Sequence, residues 1–273
     1  MKKEVSSEEL KRIALDGLIH FADFCEKNGL RYYLAYGTLL GAVRHKGFIP
    51  WDDDIDVWMP REDYDRLIGE YSQAIDNKEW ELLSYEINPK FCFPWAKLCN
   101  RQTVVTPPRF SNGFLYGISI DIFPQDTNST ATERDAFVME FNKLKSWFEK
   151  STRFYFLSRE NRYPFRNFLR KCISLVKSAV SGPCNLLFEE YSKQLRRIKV
   201  TETTWLGAVN YHDFYRKDWF DEVMKAEFEG HYFNIPKEYD KILTERYGNW
   251  KQLPPEEERT SVHSFVAYYK DIN

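Results

Sequence analysis

The sequence predicts an α+β fold: a sheet core with added helices. Three observations predict it. Ser6 with Glu9 three residues on is a capping-box signal, opening a helix that Asn28-Gly29 ends. Two runs alternate with period two, Asp54-Ile55-Asp56-Val57 and Gly117-Ile118-Ser119-Ile120-Asp121-Ile122-Phe123, and read as strands with one apolar face. Helical periods recur around them, broken at Pro and Gly.

The elements follow in order. Leu10, Ile13, Ala14, Ile19 and Phe21 keep roughly helical spacing in the first helix. Residues 30–36 read as a strand, and 37–44 (Gly-Thr-Leu-Leu-Gly-Ala-Val-Arg) as a glycine turn opening a short helix. The N–H groups of such a turn suit an anion. A loop over 44–50 leads to the acidic run, and Pro60 opens a helix over 61–71. Residues 80–87 and 95–100 read as strands, and 132–150 as a helix. Residues 153–180 mix cations with large aromatics and aliphatics until Gly182-Pro183, after which 186–198 reads as a helix. A strand over 205–210, a turn at Asn234-Ile235-Pro236 and a helix to Tyr247 follow. The tail, 254–273, reads as an extension packed on the core or partly mobile.

Composition limits the function. A chain of 273 residues buries a sizeable core as one large or two small domains. Its net charge of −2 argues against nucleic acid as a partner by bulk electrostatics. The charge is uneven: residues 143–199 carry fourteen Lys/Arg against four Glu, a net of +10 that leaves −12 elsewhere. A basic, aromatic insert in an acidic protein predicts an anionic partner, and an anionic membrane surface fits. Cys25, Cys92, Cys99, Cys172 and Cys184 make no CxxC and no zinc spacing, which predicts reduced thiols in the cytoplasm. Neither a signal-peptide core nor an apolar run of about 18 residues is present. The expected organisation is a catalytic core over 1–140, the basic helical insert over 141–200, and a part over 201–273 packing back on the core.

The run Trp51-Asp52-Asp53-Asp54-Ile55-Asp56-Val57 is the chemical centre of the sequence. Carboxylates this close repel one another once partly desolvated, and a divalent cation is the usual compensation. On a strand, Asp54 and Asp56 share one face while Ile55 and Val57 face the core. Asp52 and Asp53 are the less certain half of the run, Asp53 facing away from any metal on a regular strand. Read alone, the run also fits a structural Ca²⁺ loop.

The glycine-hydroxyl turn Gly37-Thr38, the Asp54/Asp56 strand and the later Asp121 strand together resemble the polymerase-β-type nucleotidyltransferase fold, a mixed sheet core. The resemblance sharpens over residues 36–57, a block similar to the signature of the LicD family. Asp63-Tyr64, Trp95-Ala96-Lys97-Leu98, Asp121-Ile122-Phe123-Pro124, Ile235-Pro236 and Tyr247-Gly248-Asn249-Trp250 continue it. It implies phosphocholine transfer from a CDP-choline donor to a hydroxyl of a lipid-linked cell-surface glycan precursor of the teichoic acid or lipopolysaccharide type. The enzyme would work at the inner face of the plasma membrane. Similar animal proteins, fukutin and the fukutin-related protein, use CDP-ribitol.

On this resemblance Asp54, Asp56 and Asp121 hold Mg²⁺ or Mn²⁺, with Asp121 also the candidate base. Gly37 and Thr38 contact the diphosphate, and Arg44, His45, Lys46 and Lys97 screen it. Trp51, Tyr36, Trp95 and Tyr116 are candidates for a cage around a quaternary ammonium. Phosphocholine transfer attacks the phosphorus bearing choline with CMP leaving, whereas the fold's commoner reaction attacks the α-phosphorus. The same chemistry with CDP-linked ribitol or glycerol, a true nucleotidyltransferase, and a non-enzymatic Ca²⁺-stabilised membrane-surface adaptor are the alternatives.

Overall fold

The computed structural model describes residues 3–74, 78–88, 90–91, 93–105, 115–152, 184–208, 213–260 and 266–270. The first helix, α1 (Ser7–Asn28), has the reciprocal cap its sequence predicts. The Ser6 hydroxyl accepts from the Glu9 N–H (3.2 Å), and the Glu9 carboxylate accepts from the Ser6 N–H (3.1 Å). Gly29 ends the helix in the left-handed region at φ 62°. The buried stripe Leu10, Ile13, Ala14, Leu18, Phe21 and Cys25 lies along the sheet. Gly17 in that stripe has no side chain because a Cβ would lie 2.9 Å from the Trp80 ring.

Next come β1 (Tyr33–Leu34), α2 (Tyr36–His45), β2 (Asp56–Pro60), α3 (Arg61–Ala74), β3 (Trp80–Leu83), β4 (Ala96–Asn100), β5 (Thr103–Val105) and β6 (Ser119–Asp126). After them come α4 (Arg134–Thr152), α5 (Cys184–Leu195), β7 (Trp205–Ala208), β8 (Phe214–Arg216), the β9 (Val223–Phe228)–β10 (His231–Pro236) hairpin, α6 (Tyr239–Tyr247) and β11 (Ala267–Tyr269). The main sheet has seven strands in the order β1-β2-β6-β4-β3, with β7 and β8 continuing from β6. Only β2 and β6 run parallel; the other pairs in this sheet are antiparallel, so the sheet is mixed. The α+β class expected from the sequence is the architecture observed.

Several boundaries differ from the sequence expectation, for physical reasons. The strand expected over 30–36 pairs only at Tyr33 and Leu34, because Ala35 already caps α2. Gly37 and Thr38 accordingly lie inside α2 rather than in a turn before it. Pairing of the acidic strand begins at Asp56, although the Ile55 carbonyl still accepts from the Asp121 N–H (2.8 Å). The β6 strand runs through Pro124 instead of stopping before it. Backbone N–H groups alternate sides, and the Asp121 N–H points to β2, so position 124 faces the other edge. There the β4 ladder has ended at Ile122 and the β7 ladder starts at Gln125, so no partner needs the N–H that proline lacks.

The two sheet faces differ. Ile120 approaches Gly17 of α1, so Ile120 and Ile122 face the helix side together with Val57, the register partner of Ile122. Asp56, Asp121 and Lys97 occupy the other face, because Asp121 is the register partner of both Asp56 and Lys97. A second buried cluster, including Phe137, Phe141, Phe188 and Tyr191, joins α4 and α5 to β8 through Phe214. The basic, aromatic stretch expected over 153–180 lies outside the described residues. The tail packs back: β11 pairs with β5, and the Val5 N–H donates to the Ala267 carbonyl (2.9 Å).

The far ends of the parallel strands are tied by one buried ion pair. Arg61 donates from two nitrogens to the two oxygens of Asp126 (2.6 and 2.7 Å), and both residues are almost fully enclosed. Removing Asp126 takes away the bidentate partner of the buried Arg61 and leaves it the more exposed Asp65 at 3.2 Å. Asp126→Ala is expected to lower unfolding free energy by about 3–5 kcal/mol, measured by chemical denaturation, with Asp126→Asn intermediate.

Candidate active site

The acidic face of the sheet is built by register. In the parallel β2–β6 ladder Asp56 and Asp121 are direct partners, and Asp54 stands two residues before Asp56 on the approach to the strand. Asp56 is buried. Burial, then the carboxylates of Asp54 and Asp121, push its pKa well above the usual carboxylate range, while Lys97 works the other way. The backbone at Asp56 is held along the strand edge that faces β1 and α2. Its N–H donates to the Thr38 hydroxyl (2.9 Å), and its carbonyl accepts from the Ala35 N–H (2.9 Å).

Asp121 is clamped by two side chains from the β4 side. Lys97 donates to Asp121 Oδ1, and the Trp95 indole N–H donates to Asp121 Oδ2 (2.9 Å). Burial disfavours the Lys97 ammonium, yet Asp121 beside it raises its pKa above the ordinary lysine value. Three rings surround the ammonium: Phe93 at 5.2 Å, Tyr116 at 5.3 Å and Trp95 at 5.9 Å from the ring centroids.

The remaining sequence candidates are distributed as follows. Gly37 lies in the first turn of α2, where a Cβ would meet Asp52 Oδ2 at 2.6 Å. The Asp52 carboxylate thus rests against the positive end of α2, the position the sequence assigned to a phosphate. Thr38 is buried and spends its oxygen on Asp56, which makes it a positioning residue. Arg44 donates to the Trp250 carbonyl (2.9 Å) and to His45 Nε2 (2.9 Å), tying α2 to the C-terminal part. Burial and the Arg44 guanidinium lower the His45 pKa. Lys46 pairs with Glu227 of β9 (3.3 Å).

The four rings expected to cage an ammonium are placed as follows. Each of them already faces a cation of the protein itself. Tyr36 faces Arg246 (4.8 Å), Trp51 faces Arg259 (5.8 Å), and Trp95 and Tyr116 face Lys97. Tyr36 is buried and packs edge-on against Trp58 and Phe123, so it belongs to the core beneath the site.

Sequence reasoning did not single out Arg246 of α6, and it named Tyr247 only within the family motif. Arg246 is paired with Asp213 and lies between the Tyr36 and Tyr247 rings. Burial raises the Tyr247 pKa and Arg246 opposes this, while Asp56 adds to the rise, so α6 comes close to the acidic face. No pattern in the sequence links position 246 to position 36.

The donor set of three carboxylates suits a hard divalent cation. Among the described residues, no three His, Cys, Asp or Glu side chains stand together at metal-binding distances. Lys97 and Trp95 account for this at Asp121, since they take both of its oxygens. Asp54 lies two residues before Asp56, and Asp121 is the register partner of Asp56, so these three are the residues that would hold such an ion.

The family described as LicD/FKTN/FKRP, nucleotidyltransferase domain, matches residues 29–165, which hold all three carboxylates. The chain belongs to the LicD/FKTN/FKRP family. It is also 27% identical over 282 aligned positions to the lipopolysaccharide cholinephosphotransferase LicD of Haemophilus influenzae, covering 97% of this chain and 99% of that protein. A stretch of 38 residues is 53% identical to the human ribitol 5-phosphate transferase FKRP, covering 14% of this chain and 8% of FKRP; the mouse protein matches equally. This LicD-family chain is an enzyme, a transferase.

The Thr38–Asp56 contact gives a direct test. Thr38→Val leaves the buried Asp56 N–H without an acceptor and is expected to cost about 1–3 kcal/mol in a urea titration. Thr38→Ser keeps the acceptor and stays near the parent.

Proposed function

We propose that this enzyme transfers phosphocholine from CDP-choline to a hydroxyl of a lipopolysaccharide- or teichoic-acid-type glycan precursor. The observation that carries the reading is the near full-length similarity to a lipopolysaccharide cholinephosphotransferase in a chain whose sheet sets Asp56 beside Asp121. A nucleotidyltransferase-type core agrees with the family's description and with a mixed sheet bearing carboxylates on adjacent strands.

In this reading Asp54, Asp56 and Asp121 hold Mg²⁺ or Mn²⁺. The ion, when bound, neutralises charge on the phosphoryl oxygens and aligns attacking and leaving oxygens. Around that centre Thr38 fixes the Asp56 backbone, and Trp95 and Lys97 engage the two oxygens of Asp121 in the absence of an ion. The rings beneath the site, Trp58, Phe123 and Tyr36, exclude water from that side and leave the outer side for the donor. The net charge of +10 over residues 143–199 supports association with an anionic membrane surface, where a lipid-linked acceptor resides. No described helix is long and apolar enough to cross a membrane.

A second donor is favoured by one observation. The stretch shared with the ribitol 5-phosphate transferase is highly similar but short, so CDP-ribitol is the competing donor. Incubation with CDP-choline, CDP-ribitol, CDP-glycerol or CTP, each with Mg²⁺ and a lipopolysaccharide- or teichoic-acid-type glycan acceptor, distinguishes the readings. CMP release with CDP-choline is expected; CMP release with CDP-ribitol alone, or pyrophosphate from CTP, overturns the phosphocholine assignment. Asp54→Asn, Asp56→Asn and Asp121→Asn are each expected to lower turnover by about 10²-fold or more. Their cooperative melts should be retained, and full activity in any of them removes that residue from the site.

A further inference from the structure

We propose that Lys97 is a tethered cation that stands in for part of the charge of a divalent ion, and that metal binding exchanges it off Asp121. The inference rests on the metal reading above and concerns how this chain controls that site. The argument starts from the strand order. Strand β6 lies between β2 and β4, and Asp121 is the register partner of Asp56 on one side and of Lys97 on the other. The Asp121 side chain therefore has two possible charge partners, one toward each neighbouring strand. It is turned to β4, where the ammonium takes one oxygen and the Trp95 indole takes the other. In this position it is withheld from a cation seated on Asp54 and Asp56.

A buried ammonium that loses its carboxylate needs somewhere to remain charged. Lys97 has that place. Its side chain is 9% exposed, and the faces of Phe93, Trp95 and Tyr116 stand around its nitrogen at 5.2–5.9 Å. Aromatic faces stabilise a cation without supplying a competing anion. They hold the ammonium near enough to return when the metal leaves. The aromatic box thus serves the protein's own cation and lets Asp121 alternate between Lys97 and the metal.

The test reads metal affinity, which removing a lysine remote from the carboxylates would not change; the Phe93 variant separates exchange from simple charge repulsion. Mn²⁺ binding is measured by the loss of the free-ion electron paramagnetic resonance signal, alongside melts in EDTA and in Mn²⁺. Lys97→Gln is expected to bind Mn²⁺ about tenfold more tightly than the parent, because a unit positive charge beside the carboxylates is gone. It should melt lower in EDTA and gain more than the parent on adding Mn²⁺. Lys97→Arg keeps the charge and should show no such gain. Phe93→Leu leaves the ion pair intact but opens the box, and should weaken Mn²⁺ binding by about threefold; it decides the matter if Lys97→Gln does not fold. A parent that binds Mn²⁺ with neutral Lys97 and Phe93 variants of equal affinity overturns the exchange alone. A tenfold gain in Lys97→Arg also overturns it. A parent that binds no Mn²⁺ overturns the metal reading, and the exchange with it.

Discussion

Two carboxylates on neighbouring strands, Asp56 and Asp121, stand side by side on one face of a sheet that water scarcely reaches, and like charges in that setting repel unless positive charge joins them. The parallel β2–β6 pairing creates the problem, because its register sets the two residues opposite each other. Most of the molecule around the site can be understood as keeping that pairing intact. The Arg61–Asp126 pair ties the far ends of the two strands, α2 holds the near end of β2 through Thr38 and Ala35, and α1 supports the opposite sheet face.

Positive charge reaches the pair from Lys97, which enters from β4 and is held by both Asp121 and an aromatic box. Arg246, on α6, is anchored by Asp213 and laid over the core ring Tyr36. Both are placed by partners within the protein. By contrast Arg44 and Lys46, basic residues close in sequence to the acidic run, bind the C-terminal part and the β9 strand. Their value to the site is indirect: they dock the elements that bring Tyr247 toward Asp56.

Local signals were legible because they depend on neighbours in the chain. The Ser6–Glu9 cap, the Gly29 stop and the alternation in 117–123 each involve residues within a few positions, and the structure has all three. The boundary at Gly37 shifted by one residue for a non-local reason. Where the helix starts depends on where the preceding strand stops, and β1 is only two residues long. The cations facing the aromatic rings were likewise not legible. An aromatic residue facing a cation is recognisable only when the cation's position is known, and Arg246 and Arg259 lie some two hundred positions from the rings they cover.

By itself the sequence determined the α+β class and the family, since period-two alternation and the family motif are written in consecutive residues. Only the tertiary structure decided which charges meet. Strand order set Lys97 and Asp56 on opposite sides of Asp121, and the return of α6 brought Arg246 to Tyr36. Both are consequences of pairing between segments far apart in the chain, where burial strengthens every charge interaction and no local pattern records the partner.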